Sequence, residues 1–325
     1  MRVLYLSPTA ALGGAERVLL DLLANVRQVH PAWPVSLLVA NDGPLVTGAR
    51  ELGVDTIVLP YPPELARLGD ATLKRSGGPR VWIPFAWRFA RAAVASIGYL
   101  RRFRRAVQAV GPDLLHSNGY KMHVLAALGK PSGSALVWHF HDYLGSRPLS
   151  SAIIKRLKHR CDTVITVSDS VTDDIRAQVG SHPPAMTVWN SVNLDRFTPD
   201  GSHFDLDGAA GLPPIADGAI RVGLVATFAR WKGHFRFMKV IQALQAHHPV
   251  RGYIVGGPLY DTAGSQVSMP ELRAEAERLG ITDAIGFTGF VSDPAAALRT
   301  LDVVVHASTA PEPFGLVVAE AMASG

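Results

Sequence analysis

A chain of 325 residues that is 48% hydrophobic and 18% charged can bury two domain cores, which excludes a disordered polymer. Its net charge of +5 is uneven: residues 1–200 carry 23 Lys and Arg against 15 Asp and Glu, whereas residues 201–325 carry 9 against 12. The first half attracts anions, but no Lys/Arg run interleaved with aromatics reads as a nucleic-acid surface, the single Cys161 excludes an intrachain disulfide, and no uncharged run reaches the roughly 20 apolar residues of a membrane span.

Short β-branched runs alternate with helical patterns, the order of parallel strands joined by crossover helices. The amino terminus, MRVLYLSPTA, lacks the long apolar core of a signal peptide and reads as a first strand, Val3 to Ser7, in a cytoplasmic protein. A helix from Ala15 to Val26 follows, then strands at Val35 to Ala40, Thr56 to Pro60, Asp113 to Ser117, Ala135 to Phe140 and Thr163 to Ser168. Leu59 to Arg80 reads as a mobile loop. Trp82, Phe85, Trp87 and Phe89 lead an amphipathic helix into Arg101–Arg105, read as a core-facing stripe with a solvated cationic end, with contact to an anionic membrane surface left open. Asn190 to Gly218, rich in Gly, Pro and Asp, marks a linker or an exposed excursion. Strands at Arg221 to Ala226, Gly252 to Gly257, Ala284 to Gly289 and Asp302 to Ala307 then repeat the scheme, so two doubly wound sheets are expected, with domains at 1–200 and 201–325.

Open parallel sheets bind ligands beyond the carboxyl ends of their strands, so the residues there are the candidates. Gly13 and Gly14 precede the first helix, where they serve either a ligand's close approach or a turn of unusual dihedrals. Their A-L-G-G-A-E context lacks the G-x-G-x-x-G spacing of a dinucleotide site, which lowers an NAD(P) oxidoreductase to the alternative reading. His141 ends a strand, where a neutral imidazole can bond a sugar hydroxyl and Asp142 could fix its tautomer; His139, deeper in the strand, reads as a satisfied core polar residue. Arg230 and Lys232 follow the first strand of the second domain, placed to neutralise a diphosphate. Glu312 lies between Pro311 and Pro313 just before a helix whose leading amides, at Phe314, Gly315 and Leu316, would cradle phosphate oxygens, while Glu320 lies inside that helix amid apolar residues. Asp205 and Asp207 imitate a metal-binding pair but lie in the linker, and no other cluster has ligand spacing, so no metal and no cofactor is expected.

These segments together resemble the retaining glycosyltransferases of family 4, with GT-B architecture: two Rossmann-like domains facing across a cleft. GGAERVLLDL, PDLLHSNG, HFHD, VSDSV, VWNSVNLDRFTP, RWKG, VGGP, FTGFVSD and EPFGLVVAEAMASG occur in the family's order, the last carrying its Glu-x7-Glu signature as Glu312 and Glu320. The resemblance implies transfer of a sugar from a nucleotide diphosphate sugar to an acceptor hydroxyl of a glycan or lipid-linked molecule, metal-independent and with retention. It implies catalytic roles for His141 and Glu312, and donor binding by Gly13, Gly14, Arg230, Lys232, Gly257, Val291, Phe314, Gly315, Leu316 and Glu320. No nucleic acid is expected as a partner, and peripheral contact at the inner membrane face stays open. Two departures stand out. Relatives place their arginine five residues before the lysine, where this chain has Thr227, and they continue past the last helix, so the second domain is expected to be incomplete. A non-catalytic nucleotide-binding fragment is the remaining alternative.

Overall fold

The computed structural model describes residues 1–67, 82–259 and 266–325, the side chains of residues 66, 67 and 82–95 excepted. The chain divides into two compact units, Met1–Asn190 and Ser191–Gly325. The division falls ahead of residue 200 because Phe197 is buried with Ala295 and Leu298 of the second unit.

Among the described residues, the first unit holds strands β1 (Val3–Ser7), β2 (Val35–Val39), β3 (Asp55–Val58), β4 (Leu114–Asn118), β5 (Ala135–Phe140), β6 (Thr163–Thr166) and β7 (Ala185–Thr187). They form one parallel sheet in the order β3-β2-β1-β4-β5-β6-β7, with Val3 of β1 in register with Val35 on one side and Leu114 on the other. Every residue of β1 and β2 is buried, as expected where helices cover both faces of a parallel sheet. Leu19 and Leu23, one turn apart on the helix Gly14–Val29, close over Val3, Tyr5, Leu37 and Val39. β7 continues the sheet beyond the expected strands; its three residues carry too little pattern to read in advance.

The second unit holds β8 (Ile220–Val225), β9 (Val250–Val255), β10 (Ile285–Gly289) and β11 (Val303–Val304), parallel in the order β10-β9-β8-β11. Phe237, Met238 and Ile241 of the helix His234–Gln245 pack with Leu224, Ile254 and Leu272. In each sheet the chain winds outward from one strand and then returns to that strand's other side. The switch falls between β1 and β4 in the first unit and between β8 and β11 in the second, and those two carboxyl edges are where ligands of such sheets bind.

Asn190 to Gly218 is mostly exposed, as an excursion would be, and is held to the second unit at a few points. Phe197 and Leu206 are buried, and Asp205 caps the short helix Leu206–Ala210 by accepting from Gly208 N at 2.8 Å. Asp207 accepts from Arg251 Nη1 and Tyr253 Oη, each at 2.6 Å, and from Ile215 N at 3.0 Å. Burial raises the Asp207 carboxyl, but Tyr253 and Arg251 outweigh it and hold it below the usual range. A few well-placed apolar groups and one satisfied carboxylate thus fix a segment whose composition is loop-like.

The expected loop Leu59 to Arg80 lies in part outside the described residues, as do the side chains of Trp82, Phe85, Trp87 and Phe89. In the described part of the helix Trp82–Val110, Tyr99, Phe103 and Val107 recur every four residues and are fully buried, whereas Arg101, Arg102, Arg104 and Arg105 are exposed. The face of Tyr99, Phe103 and Val107 therefore packs on the core. No helix among the described residues is long and apolar enough to cross a membrane. Cys161 is buried, and desolvation pushes its thiol up to about 12, the setting of an inert side chain.

Asp207→Ala leaves the largely buried Arg251 without its carboxylate partner and is expected to cost the second unit about 3 kcal/mol in urea unfolding. An unchanged midpoint would remove Asp207 as the anchor of this segment.

Candidate functional site

At the switch between β8 and β11 two loops cross. The chain after β8 makes a turn of 3-10 helix, Arg230–Lys232, and then Gly233 at φ +79°. A Cβ at Gly233 would collide with the carbonyl oxygen of Ala307, so glycine is what lets the loop after β11 come this close. Thr309 closes the crossing, its backbone N donating to Trp231 O at 2.7 Å.

This crossing brings Lys232 Nζ to 2.7 Å from Glu312 Oε2, with both side chains less than one-fifth exposed. His306 Nε2 and Ser308 Oγ reach the same oxygen, each at 3.0 Å, and the Lys232 ammonium lies 4.0 Å from the centre of the Trp231 ring. Burial raises the Glu312 carboxyl, yet Lys232, His306 and Ser308 together outweigh it and hold it below the usual carboxylate range. Glu312 is therefore ionised at neutral pH.

The helix expected beyond Glu312 is Leu316–Ala323, with Gly315 as its N-cap at φ +81°. Its leading amides begin at Leu316, and Phe314 lies one residue ahead of the cap. Glu320 falls one turn inside, half-buried. Gly257 lies beneath the exposed Phe290, whose ring would meet a Cβ there at 3.0 Å, and Val291 packs on the cluster of Leu206, Tyr253 and Val255. Arg230 points elsewhere: its Nη2 donates to Glu271 Oε1 at 2.7 Å. Glu271 is drawn down to about 2 by the Ser268 backbone N–H and by Arg230.

In the first unit, Ser7 and Pro8 at the end of β1 and Asn118 to Tyr120 after β4 line a cavity of about 80 Å³ together with Glu16, His123, Phe140, His141 and Asp142. His141 donates through Nε2 to Asn118 Oδ1 at 2.9 Å, and Asn118 Nδ2 donates to Leu6 O at 3.3 Å. The expected tautomer partner, Asp142, is engaged instead by Arg147, whose Nη2 donates to Asp142 Oδ2 at 2.6 Å. The neighbouring residue points away from the imidazole, and β4 supplies the partner. Desolvation lowers His141 to about 4, so the ring is neutral at physiological pH.

His141 tops a buried group of histidines. His139 Nδ1 meets His116 Nε2 at 3.1 Å, while His139 Nε2 has no partner, so the expected satisfied core histidine is satisfied on one nitrogen only. Gly14 does not have positive φ, and a Cβ there would meet nothing within 4 Å. A strained turn therefore does not explain the glycine pair. Gly13 N donates to Glu16 Oε2 at 3.2 Å, so the helix start is partly capped by its own acid.

The structure thus joins Lys232 and Glu312 beside the helix that carries Glu320, sends Arg230 to Glu271, and places His141 over its own cavity. Sequence reasoning places Asn118, Trp231 and Ser308 among the strand-end candidates without giving them a role, and it does not pick out His306 or His123. His306 falls in an expected strand and Asn118 in the run PDLLHSNG, but nothing in a linear pattern says which strand end faces which. Among the described residues no group of three or more His, Cys, Asp or Glu is placed to hold a metal ion.

The family model for Glycosyltransferase Family 4 matches residues 12–196, and that for Glycosyl transferases group 1 matches residues 213–325. No curated protein sequence matches the chain. Among solved structures it is similar to HepE of Anabaena in complex with UDP-glucose, at 22% identity over all of this chain and 78% of that one, with a TM-score of 0.73. It is also similar to sucrose-phosphate synthase of Thermosynechococcus elongatus, at 18% identity over 100% and 79% of the two chains and a TM-score of 0.70. A glycosyltransferase of Rickettsia africae shares 15% identity over 99% and 77%, with a TM-score of 0.72. At these identities the likeness shows the fold, GT-B.

Burial lowers His116 to about 3 and His141 to about 4, and pushes His123 and His139 well below the usual value. In the unfolded chain these rings take protons near pH 6.5. The unfolded state therefore binds more protons below that value, and stability, complete above about pH 6.5, falls as pH drops toward 4. The urea midpoint of the first unit should decline between pH 7 and 5.5, where carboxylates do not titrate; a flat profile would contradict the neutral cluster.

Proposed function

Because this chain belongs to glycosyltransferase family 4, we propose that it moves a sugar from a nucleotide diphosphate donor to an acceptor hydroxyl with retention at the anomeric carbon. The observation that carries this reading is the Lys232–Glu312 contact of 2.7 Å at the β8/β11 edge, directly ahead of a helix start. A cation and free helix amides suit a diphosphate, and a carboxylate kept ionised in a half-buried site suits sugar hydroxyls, which donate.

In the proposed reaction the bond from the anomeric carbon to the diphosphate oxygen breaks while the acceptor oxygen bonds the same face of that carbon. The acceptor proton passes to the departing phosphate. Negative charge grows on that phosphate as the bond lengthens, and groups already oriented toward it stabilise the transition state more than the ground state. Lys232 takes this role together with the amides of Phe314, Gly315 and Leu316. Arg230 joins them only by leaving Glu271, an exchange that an exposed ion pair permits at small cost. Glu312 grips the transferred sugar, Glu320 the ribose, and Gly257 and Val291 the nucleotide. His141 is assigned to the sugar near the reacting carbon, and Gly13 and Gly14 to close approach of the donor.

HepE is a complex with UDP-glucose, which makes that donor the first to test. The acceptor is assigned to the glycan or lipid-linked class. The reaction is placed on the cytoplasmic side, with exposed Arg101, Arg102, Arg104 and Arg105 available to an anionic leaflet.

With UDP-glucose and a panel of glycan acceptors, Lys232→Ala and Glu312→Gln should each lower kcat by about 10²- to 10³-fold while the fold is retained. Undiminished sugar transfer in both variants would overturn the assignment of this site.

A further inference from the structure

One oxygen of Glu312 is met by more donors than it can hold. Lys232 Nζ lies 2.7 Å from Oε2, and His306 Nε2 and Ser308 Oγ each lie 3.0 Å from it. A carboxylate oxygen offers about two lone-pair directions, so three donors on one atom leave one in surplus. The transfer reading uses Lys232 and Glu312 and gives His306 and Ser308 no task.

The proton positions follow from the acceptor. An ionised carboxylate can only accept, so His306 carries a proton on Nε2 and the Ser308 hydroxyl turns its proton to Oε2. Ser308 Oγ then faces His306 Nε2 at 3.1 Å through its lone pairs, which ties the two donors to each other. Neither depends on the lysine side chain for its place. The loop that carries them is pinned at both ends, by Val305 N donating to Gly223 O at 2.8 Å and by Thr309 N donating to Trp231 O at 2.7 Å.

Lys232 differs in kind. Its ammonium ends a flexible four-carbon stem and rests on the Trp231 ring, 4.0 Å from the centroid, so it can turn to another acceptor while its backbone stays. The transfer reading asks this of it, because an ammonium bonded to Glu312 is already balanced and a diphosphate brings more negative charge than one carboxylate. A Glu312 with no other donor would then stand uncompensated in a site largely withdrawn from water, which is costly. His306 and Ser308 lower that cost, since two donors still meet Oε2 once the third has gone.

We propose that His306 and Ser308 take over Glu312 Oε2 when a nucleotide diphosphate draws Lys232 away, and so keep Glu312 ionised and in place while the lysine acts on the leaving group. His306 is a positioning residue, acting through Glu312 and not by touching the ligand. The move of Lys232 to a diphosphate rests on the transfer reading; the capacity of His306 and Ser308 to hold the carboxylate without Lys232 does not.

Carbon NMR of the Glu312 side-chain carboxyl in the full chain reads that capacity without any ligand. Lys232→Ala stands in for the lysine drawn away, and in it Glu312 should still be ionised at pH 7. Adding His306→Phe, which keeps a ring and removes the N–H, should raise the carboxyl midpoint by about one pH unit, and His306→Gln, whose amide returns a donor, should bring it back. Ser308→Ala in the same background should raise the midpoint too, and it carries the test if the phenylalanine variant does not fold. A Glu312 protonated at pH 7 in Lys232→Ala, or a midpoint that neither substitution moves, would overturn the proposal.

Calorimetry with UDP reads the hand-over itself. His306→Phe alone should weaken UDP binding by about 10-fold, and in a Glu312→Gln background, where no charge has to be handed over, the same substitution should leave the affinity unchanged. An equal loss in both backgrounds would mean direct contact between His306 and the nucleotide and would sink the proposal, as would no loss in either. Failure of the unsubstituted chain to bind UDP would instead count against the transfer reading, with the carboxyl titration still deciding whether His306 and Ser308 hold Glu312.

Discussion

The second unit is organised around a salt bridge that is mostly withdrawn from water. Lys232 and Glu312 come from loops eighty residues apart in sequence and meet at 2.7 Å because Gly233 removes the side chain that would hold the loops apart. Withdrawing either charge alone would be costly, so each loop position depends on the other. Trp231 covers the ammonium, and His306 and Ser308 complete the carboxylate. The two charges hold each other in position, and fixed charges are what the proposed stabilisation of a leaving group requires.

The first unit solves a different problem at its own switch point. Two of the residues that line its cavity, His123 and His141, carry imidazoles, and the Asn118 amide oxygen, which can only accept, places the His141 proton on Nε2. Burial suppresses protonation of the rings, so they are neutral at physiological pH. One unit thus holds an ionised pair at its switch point, and the other holds neutral imidazoles at its own.

Several side chains found partners that linear proximity did not suggest. Asp142 adjoins His141 in sequence but pairs with Arg147, and Asn118 from the adjacent strand takes the imidazole. Arg230 neighbours Lys232 yet reaches Glu271, a residue held at its helix start by a capping box with Ser268. Asp207, in a stretch whose composition reads as a linker, binds Arg251 and Tyr253 of β9 and fastens that stretch to the sheet.

The sequence by itself determined the alternation of strands and helices, the two parallel sheets and the family, because strand-length apolar runs and ordered motifs are local and survive without coordinates. It also determined that Glu312 precedes a helix and Glu320 lies one turn inside it, since both follow from spacing along one segment. Only the tertiary structure decided that β8 and β11 are neighbours and hence that Lys232 meets Glu312, as strand order is a long-range property that periodicity does not encode. Likewise, the proton of His141 is placed by Asn118 on the adjoining strand β4. A proton's position in an imidazole is set by what surrounds the ring in space, and that environment exists only once the sheet has formed.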